Sequence, residues 1–278
     1  MKLAGVIIDW AGTLVDHGSC APVETLRGIF RDARVPVESA EVRLHMGLAK
    51  KTHIESILAL PRVREEWSAR HGAPPSPADA DRLYADFIPR QLSSLRDYST
   101  VIEAVPRAVE AMRKRGLAIG STTGYTRPML DYLLGRAREQ GFEPDAALCP
   151  GDAPEGRPAP WMCYLAAIRM KVYPMAAMVK IGDTPVDIEE GLNAGMWTIG
   201  VTRTGNEVGL TVDEWQQCAE PARTALLAGA RQRLVAAGAH YTAESVAECE
   251  EILEEIQTLL DRGEGPWRVP AGDNTANG

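Results

Sequence analysis

The sequence predicts an α/β protein: a parallel sheet covered by helices on both faces, with an all-helical domain inserted after the first strand. Three observations carry this. Apolar runs of strand length recur along the 278 residues and alternate with longer stretches of helical pattern. The interval from about 20 to 100 breaks that rhythm, offering helical segments and no strand. Most of the apolar runs also end in turns rich in Asp, Gly, Ser and Thr, at the sheet edge where ligands bind in open parallel sheets.

Taken in order, the first strand covers residues 3–8, whose Val6-Ile7-Ile8 leads straight into Asp9-Trp10-Ala11-Gly12-Thr13. Helical patterns follow at 23–33, 39–44, 50–58, 62–71 and 78–95, and the proline-rich Ala73-Pro74-Pro75-Ser76-Pro77 marks a turn before the last of them. This interval is too long for a simple crossover. Residues 20–100 are therefore read as an inserted helical domain, and residues 1–19 with 101–265 as the core. Strands at 117–121, 146–149, 177–181 and 197–201, each beside a helical pattern, complete a Rossmann-like core sheet. Further helices are expected at 211–237 and 242–262. In the second, Val246, Cys249, Leu253, Ile256 and Leu260 repeat at three- and four-residue spacing, with glutamates on the solvated face. Residues 266–278, rich in Gly, Pro, Asn and Ala, read as a disordered tail.

Composition limits the function classes. With 45% hydrophobic and 24% charged residues the chain is an ordinary globular protein. A net charge of -8 lacks the basic footprint of a nucleic-acid binder. Five scattered cysteines form neither a disulfide framework nor a CxxC metal pattern, which favours a reduced, cytoplasmic setting. No apolar stretch reaches the ~18–20 residues of a membrane span, and no signal peptide opens the chain.

Four strand ends carry chemistry of one kind. Asp9 ends the first, as a nucleophile for a phosphoryl group would. The second runs into Gly120-Ser121-Thr122-Thr123-Gly124-Tyr125, whose hydroxyls and free N–H groups suit phosphate oxygens. The third is followed by Gly156-Arg157-Pro158, and the fourth by Gly182-Asp183-Thr184-Pro185-Val186-Asp187. There Thr184 can cap a helix and Pro185 suits its first turn, leaving Asp183 at the strand tip and Asp187 one turn in. Singly, these are helix caps, a common turn composition and a surface arginine. Jointly and in order, they are the hard oxygen donors and cation that a Mg²⁺ ion and a phosphoryl group require.

One position departs from this pattern. Enzymes that transfer phosphate through such an aspartate usually place a second carboxylate two residues later, to protonate the leaving group. Here Ala11 stands in that place and cannot donate a proton. The activator is then to be sought in the insert, where Met46-Gly47-Leu48-Ala49-Lys50-Lys51-Thr52-His53 supplies candidates. On a helix starting near Lys50, Ile54 and Ile57 fall within about 40° of Lys50 and His53 within about 60°, while Lys51 falls about 40° from Glu55. Lys50 thus shares the apolar face, where desolvation makes an amine a nucleophile; the alternative is that it snorkels to water. A neutral lysine beside a phosphoryl site points to a carbonyl substrate. A Schiff base would accept the electrons of a breaking C–P bond, and no acid at position 11 would be needed.

The ordered set, an Asp after strand one, a Ser/Thr after strand two, an Arg and a late acidic pair, resembles the haloacid dehalogenase superfamily, and the insert matches that superfamily's cap domain. Asp9–Thr13, Met46-Gly47 with Lys50 and His53, residues 120–127, Gly156-Arg157-Pro158 with Pro160–Tyr164, and Ala194–Thr198 are similar to the phosphonatase family within it. That resemblance implies hydrolysis of a small-molecule phosphonate, phosphonoacetaldehyde, to acetaldehyde and phosphate, with Mg²⁺, by a cytoplasmic homodimer. It implies Asp9 as nucleophile and metal ligand, the Ala11 carbonyl and Asp183 as further ligands, and Asp187 behind them on a metal-bound water or neighbouring groups. Lys50 would form the Schiff base, and Thr123 and Arg157 would bind phosphoryl oxygens. Gly47, His53 and Tyr125 would position substrate or move protons near Lys50. Lys51 is an alternative amine. Two competing readings are an ester phosphatase, which Ala11 opposes, and a catalytically silent binding protein.

Overall fold

The computed structural model describes residues 1–267. Six parallel strands form one sheet: β1 (Gly5–Ile8), β2 (Ala118–Thr122), β3 (Ala146–Leu148), β4 (Met178–Gly182), β5 (Trp197–Val201) and β6 (Tyr241–Ala243), in the order β3-β2-β1-β4-β5-β6. The chain fills the sheet from β1 outward to β3, then returns to lay β4 against the free side of β1. A crevice opens at such a reversal, beyond the carboxyl ends of the central strands. Register aligns those ends, since Ile8 stands opposite both Ser121 and Ile181. Asp9, Thr123 and Asp183, each the first residue past its strand, therefore leave the sheet at the same edge.

β1, β4 and β5 are buried along their whole length, which is why they read as mainly apolar runs without polar alternation, Lys180 in β4 and Thr198 in β5 being the buried polar exceptions. Their two faces feed different clusters. Val6, Ile8, Val179 and Ile181 join the large core, while Ile7 and Met178 pack with Met162, Cys163 and Ala166. The latter three belong to α8 (Trp161–Met170).

Of the six helices between β1 and β2, the first five are α1 (Cys20–Asp32), α2 (Ser39–Arg43), α3 (Lys50–Ala59), α4 (Pro61–His71) and α5 (Pro77–Ser94). Ser76 caps α5 by accepting from the Asp79 N–H, and Pro77 occupies the first turn, so the proline-rich segment ends in a helix start. Ile54, Ile57, Trp67 and Phe87 interlock these helices and continue into the cluster holding Val6 and Trp10. The remaining helices are α6 (Val105–Lys114), α7 (Arg127–Glu139), α9 (Pro185–Asn193), α10 (Val212–Gln217), α11 (Glu220–Ala236) and α12 (Cys249–Asp261).

Two expectations need correction beyond β5. The stretch 211–237 is two helices, because Pro221 cannot donate into a continuing helix and starts α11 instead. The expected helix 242–262 begins only at Cys249, since residues 241–243 form β6, paired through Ile199 and Tyr241. The stripe read there is nonetheless the buried one: Val246, Cys249, Leu253, Ile256 and Leu260 are all fully enclosed. Of the expected tail, residues 268–278 lie outside the described residues.

Candidate active site

The carboxyl ends of β1 and β4 supply three buried carboxylates. Asp9 continues the β1 ladder by donating its N–H to the Ile181 carbonyl at 2.9 Å. Asp183 is held on both oxygens, by the Thr13 hydroxyl at 3.3 Å and the Asn206 N–H at 2.7 Å. Asp187 serves a capping box: the Thr184 hydroxyl donates to its Oδ2 at 2.6 Å, and its own N–H donates to Thr184 at 3.2 Å. Its Oδ1 turns away to meet Arg157 at 2.8 Å and Lys180 at 3.0 Å. Asp187 is thus both a helix cap and a site residue. The three residues can bring carboxylate oxygens within 4.8 Å of one another.

Such crowding has an electrostatic signature. Burial and the neighbouring Asp187 push Asp9 up to about 6, against the pull of Arg157 and Lys180. Burial, Asp9 and Asp187 drive Asp183 well above the carboxylate range. Asp187, although buried, is held below that range by Arg157 and Lys180. Three oxygen-only donors that resist ionising together fit a hard divalent cation.

Arg157 is buried and organises these groups. Its Nη1 lies 2.7 Å from Asp9 Oδ1 and 2.8 Å from Asp187 Oδ1, its Nε donates to Glu190 at 2.9 Å, and its Nη2 donates to the Thr122 hydroxyl at 2.8 Å. The surface ion-pair reading of Arg157 therefore fails. The hydroxyl turn is also narrower in use than its composition suggests. Thr122 is spent on Glu190, Arg157 and Lys180, and Ser121 faces the Ala146 carbonyl. Thr123 and Gly124 reach the cavity, the Thr123 hydroxyl accepting from the Tyr125 N–H at 3.1 Å.

The insert closes the other side of this cavity through residues 46–50. Gly47 has φ +93°, and a Cβ there would lie 2.6 Å from Thr184 Oγ1. A glycine is what lets this turn rest on the start of α9. Lys50 opens α3 and is only 5% exposed, on the same buried face as Ile54 and Ile57. Its amine does not snorkel to water. It lines the cavity with Asp9, and its Nζ stands 5.0 Å from the centre of the Tyr125 ring. Burial lowers its pKa to about 8, with Asp9 resisting the shift. Lys51 is exposed and pairs with Asp81 of α5 at 2.5 Å, rather than with the Glu55 that the helical wheel suggested.

Among the described residues, the candidates Asp9, Ala11, Gly47, Lys50, Thr123, Tyr125, Arg157 and Asp183 line this one cavity. Asp187 stands behind it through Arg157. His53 does not reach the wall: its ring Nε2 is 2.7 Å from the Val42 carbonyl, and burial pushes it down to about 3, so the imidazole is neutral. Tyr125 is buried, its hydroxyl has no hydrogen-bond partner, and burial with the nearby carboxylates raises its pKa well above normal. Three residues escaped the sequence reading. Ser19 lines the cavity with an unpartnered, buried hydroxyl. Lys180 and Glu190 are fully buried beside Arg157. A lysine inside the apolar run Met178-Val179-Lys180-Ile181 was the readable sign of the last pair. Ser19 carried none.

Comparison with known proteins places the chain among hydrolases. A family model described as haloacid dehalogenase-like hydrolase matches residues 3–195. A phosphonoacetaldehyde hydrolase of Syntrophobacter fumaroxidans is 44% identical over 261 residues, spanning 94% of this chain and 94% of its own. One from Bacillus cytotoxicus is 43% identical over 257 residues, 92% of this chain and 97% of its own. The crystal structure of a phosphonoacetaldehyde hydrolase-like protein from Oleispira antarctica matches with a TM-score of 0.94 at 36% identity, covering 96% of both chains.

Proposed function

The chain belongs to the haloacid dehalogenase-like hydrolases and, among them, to the phosphonoacetaldehyde hydrolases; from that premise we propose that it hydrolyses the C–P bond of phosphonoacetaldehyde through a Lys50 Schiff base and an Asp9 aspartyl-phosphate. The single observation that carries this reading is that a buried amine with its pKa brought down to about 8 lines the same cavity as the strand-end carboxylate. Neither group alone would specify the reaction. Together they supply an electron sink for carbon and a nucleophile for phosphorus.

In this reading the free Lys50 amine adds to the aldehyde carbon, and loss of water leaves an iminium. An Asp9 oxygen attacks phosphorus as the C–P bond breaks, and the bonding pair moves into the carbon framework to give an enamine. Water then attacks the aspartyl-phosphate, freeing phosphate and Asp9. Protonation of the enamine carbon and hydrolysis of the resulting iminium release acetaldehyde and restore Lys50. No leaving oxygen needs a proton, which accounts for Ala11. Thr123 and the Gly124 N–H hold phosphoryl oxygens, while Arg157 orients Asp9 and offsets phosphoryl charge. Tyr125 packs its ring on the Lys50 amine, and Gly47 gives the insert its close seat on the core. His53, behind the wall, fixes the start of α3 through Val42.

Asp9, the Ala11 carbonyl and Asp183 would hold Mg²⁺, with Asp187 supporting them, and the ion would supply positive charge to the phosphoryl oxygens. Residues 20–100 act as a cap over the core of 1–19 and 101–265. No described helix is long and apolar enough to cross a membrane. We take the working form to be a cytoplasmic homodimer, which sedimentation of the purified protein would test.

The reaction is tested by following phosphonoacetaldehyde with Mg²⁺ by ³¹P and ¹H NMR. Acetaldehyde and phosphate should appear in equal amounts, with phosphate monoesters turned over far more slowly. Faster hydrolysis of the esters would overturn the reading in favour of an ordinary phosphatase.

A further inference from the structure

Lys180 and Glu190 are two fully buried charged residues that the proposed chemistry leaves unused, and their placement is specific. Lys180 lies mid-strand in β4 and Glu190 in α9, each 0% exposed. All three hydrogens of the Lys180 ammonium are engaged, by Thr122 Oγ1 at 2.8 Å, Glu190 Oε2 at 2.9 Å and Asp187 Oδ1 at 3.0 Å. Glu190 Oε2 in turn receives Arg157 Nε at 2.9 Å and the Thr122 hydroxyl at 2.9 Å. Gly191 makes this possible: a Cβ there would lie 2.7 Å from both Lys180 Cβ and Thr198 Cγ2, so only glycine lets α9 press Glu190 onto β4.

Stability does not explain such a pair. Lys180 belongs to the strand face that Met178 and Cys163 line, and well-packed apolar side chains commonly do as well as a buried ion pair or better. The pair does settle two things at the site. By holding Arg157 Nε, Glu190 fixes the guanidinium plane so that Nη1 points between Asp9 and Asp187. It also sets the charge balance. Asp9, Asp183, Asp187 and Glu190 face Arg157 and Lys180, with Lys50 across the cavity, so the carboxylates outnumber the cations and a divalent cation offsets the excess.

We propose that Lys180 and Glu190 are positioning residues, a buried ion pair that aims Arg157 and Asp187 and sets the affinity of the carboxylate cluster for its divalent cation. The proposal rests on the function above only for the substrate used in one arm of its test. Removing the lysine charge makes the cluster more negative and removing the glutamate charge makes it less so. The two substitutions therefore act in opposite directions, whereas damage to packing would weaken binding in both.

The experiment is calorimetric titration of Mg²⁺ into metal-stripped full-length protein, for Lys180→Met, Glu190→Gln and the double variant. Lys180→Met should bind Mg²⁺ about tenfold more tightly and Glu190→Gln about tenfold more weakly, because each removes one charge of opposite sign close behind the carboxylates. The double variant should return to within about threefold of the wild type, because it removes opposite charges together. Weakening in both single variants, or no change in either, overturns the proposal. If the single variants do not fold, the double variant carries the test, since it leaves no unpaired buried charge. It must then keep wild-type Mg²⁺ affinity while kcat for phosphonoacetaldehyde falls about tenfold or more at little-changed KM; unchanged kcat, or lost affinity, overturns the proposal. The calorimetric arm uses no substrate, so a wild type inactive on phosphonoacetaldehyde would refute the function and leave this result readable.

Discussion

Replacing Lys50 by Met should stabilise the protein while destroying its activity, and the stability gain should vanish at high pH. The amine falls from 10.5 to about 8 on folding, because burial disfavours its charged form. Between those values the unfolded chain binds the proton and the folded chain does not. Stability therefore rises with pH across the window from about 8 to 10.5: the penalty is full below about 8 and gone above 10.5. The difference, 10.5 − 8 = 2.5 units at about 1.36 kcal/mol each, is about 3 kcal/mol. Met keeps the unbranched shape of the stem and loses only the amine, so packing changes little. Urea unfolding of both proteins across this window isolates the effect, since every other titrating group is common to the two. The variant's advantage should shrink by about 3 kcal/mol as pH rises. A difference that stays constant with pH would mean that folding does not perturb Lys50, and the reasoning from its burial would fail.

Three other outcomes follow from the same geometry. With a free amine required for attack, kcat/KM for phosphonoacetaldehyde should climb with pH to a plateau above about 8; a flat profile below that value would show that the charge state of Lys50 is not limiting. Gly47→Ala would put a side chain at φ +93° against Thr184, lifting the 46–48 turn from the core. A stability loss of about 1–3 kcal/mol in denaturant titration, with kcat and KM both impaired, is expected; wild-type kinetics would show that the turn need not sit there. His53→Phe loses the bond to the Val42 carbonyl but touches no substrate, so steady-state kinetics should show kcat reduced by roughly tenfold at most. A loss as deep as that of Lys50→Arg, in which a permanently charged guanidinium replaces the amine, would place His53 in the chemistry itself.

Much of the site was legible because parallel strands bring their carboxyl ends into register, so residues far apart in sequence but alike in position meet at one edge. Asp9, Thr123 and Asp183 needed no more than that, whereas Arg157, well past the end of β3, was read only from its place in the ordered set. The helical wheel separated Lys50 from Lys51 because burial follows the 3.6-residue period. It erred on the partner of Lys51, since Asp81 comes from another helix and no local spacing encodes it. It also set His53 correctly on the buried face, but a face does not say which cavity a ring reaches. Lys180 and Glu190 were missed for a related reason, because their meaning lies in the contact between β4 and α9 that Gly191 permits. The sixth strand, three residues long, is too short to show a period, and an adjoining helical pattern masked it.

The central claim is that Lys50, not an acid at position 11, activates the leaving carbon. Its most direct test is to trap the enzyme with borohydride during turnover of phosphonoacetaldehyde and to map the modified peptide by mass spectrometry. A single reduced adduct on Lys50, absent without substrate and absent in Lys50→Arg, is the expected result. An adduct on Lys51, or full turnover with no adduct, would contradict the account.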